Sequence, residues 1–276
     1  MIGNMIKKIF HVVVYLFAII GFVLVAGYFG VRYGLTNTPG AIDLQREWFL
    51  KDASAKSDTF PLWTNTEEWK ILETAIRRDE PTIKRAALDA GVSPRLIVSN
   101  LLTEQLRLFF TEREFYKQFF SPLKILGSQT QFSWGVMGMK EATAIDVENH
   151  LKDTTSPFYL GPTYAHALDF PLSDQKNIKE ARFTRMTDQH DHYYSYLYAG
   201  LYLKEVESQW QNAGMMIGDK PEILATLYNI GFDHSKPNSS PAIGGAEMSI
   251  NNQTYTFGGL AGEFYYSNLL TDIFPR

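Results

Sequence analysis

The strongest pattern in the chain comes first. Residues 9–31 are 23 successive positions without a formal charge. As a helix they would extend roughly 34 Å, enough to span a bilayer core. His11 is the one strongly polar residue of the run, and Tyr15, Tyr28 and Tyr33 suit interfacial zones. A cleaved signal peptide has a shorter apolar core, roughly 7–15 residues, and ends on a small-x-small site. Ala26-Gly27-Tyr28 is a poor match to that site, so the run predicts an uncleaved transmembrane helix. Lys7 and Lys8 precede it, which keeps the N-terminus cytoplasmic and the bulk of the chain on the far side.

Beyond a polar juncture at Thr36 to Gly40, the pattern turns helical. Asp43 to Leu50 can form a short helix, and Ala53 to Pro61 reads as loop. Thr66 to Arg78 spaces Trp69, Leu72 and Ile76 on one helical face, with Glu67 and Glu68 in the first turn. Pro81 opens a helix that ends at Gly91, and Ser93-Pro94 starts another that runs to about Phe110. Helical spacing returns at Glu112 to Phe120, Lys140 to Leu151, His192 to Ala213, Pro221 to Asn229 and Gly262 to Phe274. Gly127 to Gly138 reads as loop or short hairpin, and Thr154 to Asp174, with three prolines, as irregular. Glu247 to Phe257 alternates and is the only fair strand or hairpin signal. No internal repeat is present. The pattern therefore predicts a mainly α domain with one small hairpin, preceded by one N-terminal transmembrane helix.

Composition narrows the functional classes. The 276 residues are 45% hydrophobic and 20% charged, an ordinary globular balance. Cysteine is absent, which excludes disulfides, Cys-ligated metal centres and a cysteine nucleophile. Residues 1–35 hold only Lys7, Lys8 and Arg32, which leaves 23 basic and 30 acidic residues in the remainder. A body that acidic argues against nucleic acid as a partner.

The helix from Pro94 carries the candidate chemistry. Ile97, Leu101, Glu104 and Leu108 are spaced four, three and four, so they share one face. A carboxylate on an apolar stripe is desolvated, which raises its pKa and makes it a candidate general acid near neutral pH. The same helix offers Arg107 three residues on, and an ion pair there would favour the charged form. Both readings stand on the sequence alone. Asp188, His190, Asp191 and His192 are metal-ligand types, but they sit at a helix start, where such residues commonly cap. Tyr194, Tyr198 and Tyr202 share a helical face and read as packing.

Four segments bring a family into view. Gly135-Val136-Met137-Gly138-Met139-Lys140-Glu141-Ala142-Thr143-Ala144 resembles the Gly-Leu-Met-Gln-x-x-Pro-x-Thr-Ala segment of lytic transglycosylases of the goose-lysozyme-like family. Ser133 lies two residues ahead, where many members have a serine. Gly91-Val92-Ser93-Pro94-Arg95-Leu96-Ile97, leading to Glu104, resembles the family's catalytic helix. Ala199-Gly200-Leu201-Tyr202-Leu203 is similar to its Gly-x-x-Tyr-Leu helix, and Ala225-Thr226-Leu227-Tyr228-Asn229-Ile230-Gly231 to its Ala-x-x-Tyr-Asn-x-Gly motif. The order is the family's, and the likeness covers about residues 86–276. Three departures stand out: Gln105 where Ser is usual, Gly138 for the Gln, and Glu141 for the Pro. The spacings from Glu104 to Gly135 and from Ala144 to Gly200 are also longer than the family norm.

The resemblance implies a lysozyme-like catalytic domain over 86–276, behind a juxtamembrane segment with lead-in helices at 36–85 and a cytoplasmic tip and anchor at 1–35. It implies cleavage of the β-1,4 bond between N-acetylmuramic acid and N-acetylglucosamine in peptidoglycan, with a 1,6-anhydro product. Glu104 would act as acid and then base. Tyr228 would hydrogen-bond near the acid or the reacting sugar, Asn229 would hold the local turn or meet the sugar, and Ser133 and Met137 would line the sugar sites. No metal and no cofactor is implied. The partners expected are peptidoglycan glycan strands, the bacterial inner membrane through residues 9–31, and a cell-envelope protein complex, with the C-terminal domain in the periplasm. Two alternatives accompany this reading. A hydrolytic muramidase would need a second carboxylate, for which Glu141 and Glu112 are candidates. A non-catalytic, anchored wall-binding scaffold would explain the departures at Gln105 and Gly138.

Overall fold

The computed structural model describes residues 15, 17–23, 25, 61–111 and 134–276. It divides into two units, one comprising residues 1–43 with 238–240, the other residues 44–237 with 241–276. In the first, residues 17–23 are helical and expose their apolar side chains. No helix among the described residues is long and apolar enough to cross a membrane. Most of the expected 9–31 span lies outside those residues, as do the elements expected at 43–50 and 112–120.

The second unit is mainly helical. Helix α1 (Glu67–Arg78) begins where the Thr66 side chain accepts from the Trp69 N–H at 3.1 Å, and it buries Trp69, Leu72 and Ile76. Helix α2 (Glu80–Ala90) has Pro81 in its first turn and stops at Gly91, whose φ of +69° closes the end in left-handed geometry. Helix α3 (Pro94–Thr111) is the central element and packs on α1, α2 and the helices at Tyr193–Asn212, Pro221–Ile230 and Phe257–Tyr266. Its position explains why Ser99, Asn100, Thr103 and Gln105 are buried beside the apolar residues. Ser99 and Thr103 satisfy their hydroxyls on carbonyls one turn back, at 2.8 Å each.

Helices α4 (Glu141–His150), α5 (Ile178–Met186) and α6 (Tyr193–Asn212) follow. Gly200 lets α6 approach α2: a Cβ there would meet the Ala90 methyl at 2.7 Å. Helix α7 (Pro221–Ile230) packs on the last helix, α8 (Phe257–Tyr266). Between them, β1 (Glu247–Ile250) and β2 (Gln253–Thr256) pair antiparallel with Ile250 opposite Gln253. Asn251 and Asn252, at φ +50° and +64°, make the two-residue turn, a geometry asparagine tolerates well.

Two expectations need correction. Helix α5 was not expected from the sequence, because its inward positions are Arg182 and Met186 rather than an apolar stripe. Arg182 is held there by Glu148 through bonds of 2.7 Å to both oxygens. The last helix was expected over Gly262 to Phe274 but runs from Phe257 to Tyr266. The Thr256 side chain starts it early by accepting from the Gly259 N–H at 3.2 Å. Arg95 ends it. Its buried guanidinium donates to the carbonyls of Phe264, Tyr265, Ser267, Leu269 and Phe274 at 2.7–2.9 Å, so the carbonyls released at the helix end find a cation and the tail folds back over it. Burial holds Arg95 down to about 10, still charged at neutral pH.

Candidate active site

Glu104 sits on α3 where the sequence placed it, among buried Ile97, Leu101 and Leu108. Its side chain is 5% exposed, and it lines a cleft of about 340 Å³. Tyr202, Tyr228, Asn229, Thr143, Lys140 and Gly138 share that lining. Separate segments thus line the cleft that holds the carboxylate: α3, the turn before α4 and its first residues, α6 through Tyr202, and the end of α7.

The turn over residues 134–139 is tightly held. Trp134 and Met139 exchange backbone hydrogen bonds at 2.7 and 3.2 Å, which closes it as a hairpin. Gln105 Nε2 donates to the Val136 carbonyl at 2.5 Å, and the Tyr228 hydroxyl donates to the Met137 carbonyl at 2.8 Å. The Met137 N–H donates to Ser195 Oγ at 3.3 Å. Helices α3, α7 and α6 therefore each hold one peptide of the turn. The result places Gly138 against the acid. Gly138 has φ +62°, and a Cβ on it would lie 2.7 Å from the Glu104 carboxyl carbon. Any side chain at this position, a glutamine included, has no room with Glu104 where it stands. The glycine and the buried acid fit each other.

Glu104 is paired. Arg107 donates from Nη2 to Oε1 at 2.6 Å and from Nε to Oε2 at 3.3 Å, the two-pronged geometry that favours a carboxylate anion. The guanidinium is the more accessible partner, 25% exposed against 5% for the acid. Of the two sequence expectations for Glu104, the geometry shows the ion pair along the helix; the acid lines a cleft with Tyr228, but it is not shielded from Arg107 as the general-acid expectation required.

The other expected site residues fall as follows. Tyr228 lines the cleft, with its ring edge-on to Tyr202 at 5.1 Å. Burial, with the Glu104 charge adding, pushes its phenol well above the ordinary value, so it serves as a donor. Asn229 also lines the cleft, while its Oδ1 accepts from the Ala246 N–H at 2.7 Å and holds the approach to β1. Met137 is buried, and it meets Tyr228 through its carbonyl rather than presenting its side chain to the cleft. Ser133 and Glu112 lie outside the described residues. Glu141 pairs with Lys179 at 3.5 Å and is not part of the cleft lining.

The residues read as metal-ligand types are spent on structure. Asp188 accepts from the N–H groups of His190 and Asp191, Asp191 pairs with Arg85, and His192 Nδ1 lies 2.5 Å from Asp79 Oδ2. Among the described residues no group of three or more such side chains could hold a metal ion.

Sequence reasoning missed three contributors. Ser195 carried no signal, since a serine on a helix is unremarkable. Tyr202 was read as packing, yet it also lines the cleft and donates to the Leu227 carbonyl at 3.0 Å, just ahead of Tyr228. Gln105 was noted as a departure, and the length of its side chain is what lets it reach Val136. In comparison with known proteins, no protein-family model, no curated protein and no solved structure matches this chain.

Proposed function

We propose that this chain is a membrane-anchored peptidoglycan lytic transglycosylase in which Glu104 is the acid and then the base. One observation carries the reading: a carboxylate almost wholly buried at the base of a cleft, with Tyr228, Thr143 and Asn229 around it to meet sugar hydroxyls. In the reaction, protonated Glu104 gives its proton to the glycosidic oxygen as the bond from that oxygen to the muramic acid C1 breaks. The 6-hydroxyl of the same sugar attacks C1, and the Glu104 carboxylate takes that hydroxyl's proton. The product is a 1,6-anhydro sugar and the acid is restored. An internal nucleophile gains from its high effective concentration and needs no activated water. The uncharged 9–31 run behind Lys7 and Lys8 supports a periplasmic location for the domain.

A second reading has its own support. The two-pronged pair with Arg107 favours the anion, whereas the first step needs the protonated acid. A glycan-binding protein that does not cleave would keep this pair intact. The test is incubation of the full chain in detergent with purified peptidoglycan, with products read by mass spectrometry. Anhydro ends from wild type and none from Glu104→Gln support the transglycosylase. Reducing ends would make it a hydrolase, and no release by wild type would leave the binder.

A further inference from the structure

The charges lining the cleft are unequal. Among the described residues of its lining Glu104 is the one acid, against Arg107 and Lys140. With Glu104 and Arg107 paired, Lys140 is the further charge among the described lining residues, and it is positive. Lys140 is exposed at the rim, just before α4, and makes no ion pair among the described residues. A cleft of this kind attracts anions. Its deepest cation is also the group that must leave Glu104 before the acid can protonate anything. The guanidinium is the better exposed of the pair and sits on a flexible stem one helical turn from the acid, so a ligand can reach it without uncovering Glu104.

We propose that the cleft selects a glycan carrying a free carboxylate beside the linkage to be cleaved, and that this carboxylate takes Glu104's place as the partner of Arg107. The inference rests on the catalytic assignment above for its consequence, since losing the guanidinium removes what favours the Glu104 anion. Its binding half stands without cleavage. The sugar that fits is muramic acid with its lactyl carboxyl unsubstituted. Guanidinium and carboxylate re-form the same two-pronged geometry, so the exchange replaces one charge-assisted pair with another, and Lys140 adds attraction that Glu104 does not use. A neutral glycan offers no such exchange and leaves the pair closed.

The test is equilibrium binding by the full chain in detergent. The probes are peptide-free glycan strands of alternating N-acetylglucosamine and muramic acid, and the same strands with their carboxyls converted to primary amides. Wild type should bind the carboxylate strands about tenfold tighter than the amides. Glu104→Gln, which removes the internal competitor for Arg107, should bind carboxylate strands at least about threefold tighter than wild type and leave amide binding unchanged. Arg107→Gln should bring the two strands within twofold of each other, and Arg107→Lys should restore part of the preference. Equal binding of both strands by wild type overturns the proposal. So does a Glu104→Gln variant that binds carboxylate strands no tighter, which decides the matter even where Arg107→Gln fails to fold. A preference seen only with peptide-bearing strands, whose lactyl groups are amide-bonded, also overturns it. Cleavage is scored separately: absence of product from wild type defeats the catalytic assignment and leaves the charge preference readable.

Discussion

Replacing Gly138 by alanine perturbs the site at its tightest point. Two costs add. The backbone holds φ +62°, and a residue with a Cβ loses about 1–2 kcal/mol in that region. The new methyl would also lie 2.7 Å from the Glu104 carboxyl carbon, so the buried acid, its Arg107 partner or the clamped turn must shift. Overpacking of this kind costs about 1–3 kcal/mol. Gln105, Ser195 and Tyr228 pin the turn, and the two-pronged pair with Arg107 holds the carboxylate, so a shift on either side breaks a bond. The total of about 2–5 kcal/mol lowers Tm by about 5–15 °C for a body of this size. Thermal melts followed by circular dichroism measure it. The decisive comparison is a double-mutant cycle. In a Glu104→Ala background only the backbone term remains, and Gly138→Ala should cost about 1–2 kcal/mol. An equal cost in both backgrounds would refute the claim that glycine is there for the acid. A melt unchanged by Gly138→Ala would refute the close approach altogether.

Arg95→Leu should be among the most damaging single changes, costing about 4 kcal/mol or more, because five carbonyls, three of them in buried bonds, lose their donor; denaturant midpoints by fluorescence check it, and a loss under 1 kcal/mol would contradict the capping role. Tyr228→Phe should cost about 1–2 kcal/mol by stranding the Met137 carbonyl, read in the same unfolding assay, and amide exchange in residues 134–139 should quicken. Glu205→Gln tests a sign. Burial raises Glu205 well above its ordinary 4.5, while burial lowers its partner His150, 3.1 Å away, below 6.5. Folding therefore makes Glu205 hold a proton that the unfolded chain releases, so its contribution falls as pH rises above 4.5; the His150 contribution rises with pH but is complete near 6.5. Above that pH, of this pair only the Glu205 slope remains, and Glu205→Gln should flatten the decline of Tm above about pH 6.5; parallel Tm–pH curves for wild type and variant would exclude it.

What the sequence revealed followed from local rules. The 3.6-residue period placed α1, α2, α3, α6 and α7, because each has a stripe or a terminal signal of its own: Thr66 and Glu67 for α1, Pro81 and Gly91 for α2, Pro221 for α7. It also put Glu104 inward. It failed at α5, where an arginine occupies an inward position on the strength of a carboxylate 34 residues away. It failed again at the end of α8, set by an arginine 169 residues distant. Pairings at such separations leave no periodic trace. The same holds at the site: the distance between Glu104 and Arg107 was legible, whereas the meeting of Gly138 with Glu104 depends on how the 134–139 turn docks.

The departures from the family pattern can be weighed by asking whether they leave holes. A decaying site loses side chains independently, and each loss strands a partner or opens a cavity. Here the changes answer one another. Gln105, long where a serine would be short, reaches across to the Val136 carbonyl and ties α3 to the turn. Gly138, small where a glutamine would be long, makes room for the acid that the tied turn now approaches. Arg107 supplies the countercharge that so enclosed a carboxylate requires. Replacing Gln105, Gly138 or Arg107 alone produces a stranded carbonyl, a clash or an uncompensated charge, so these three residues are consistent only together; Glu141, the third departure, takes no part and pairs with Lys179. That mutual fit argues for a site held to a purpose, and it locates the purpose at the Glu104–Arg107 pair.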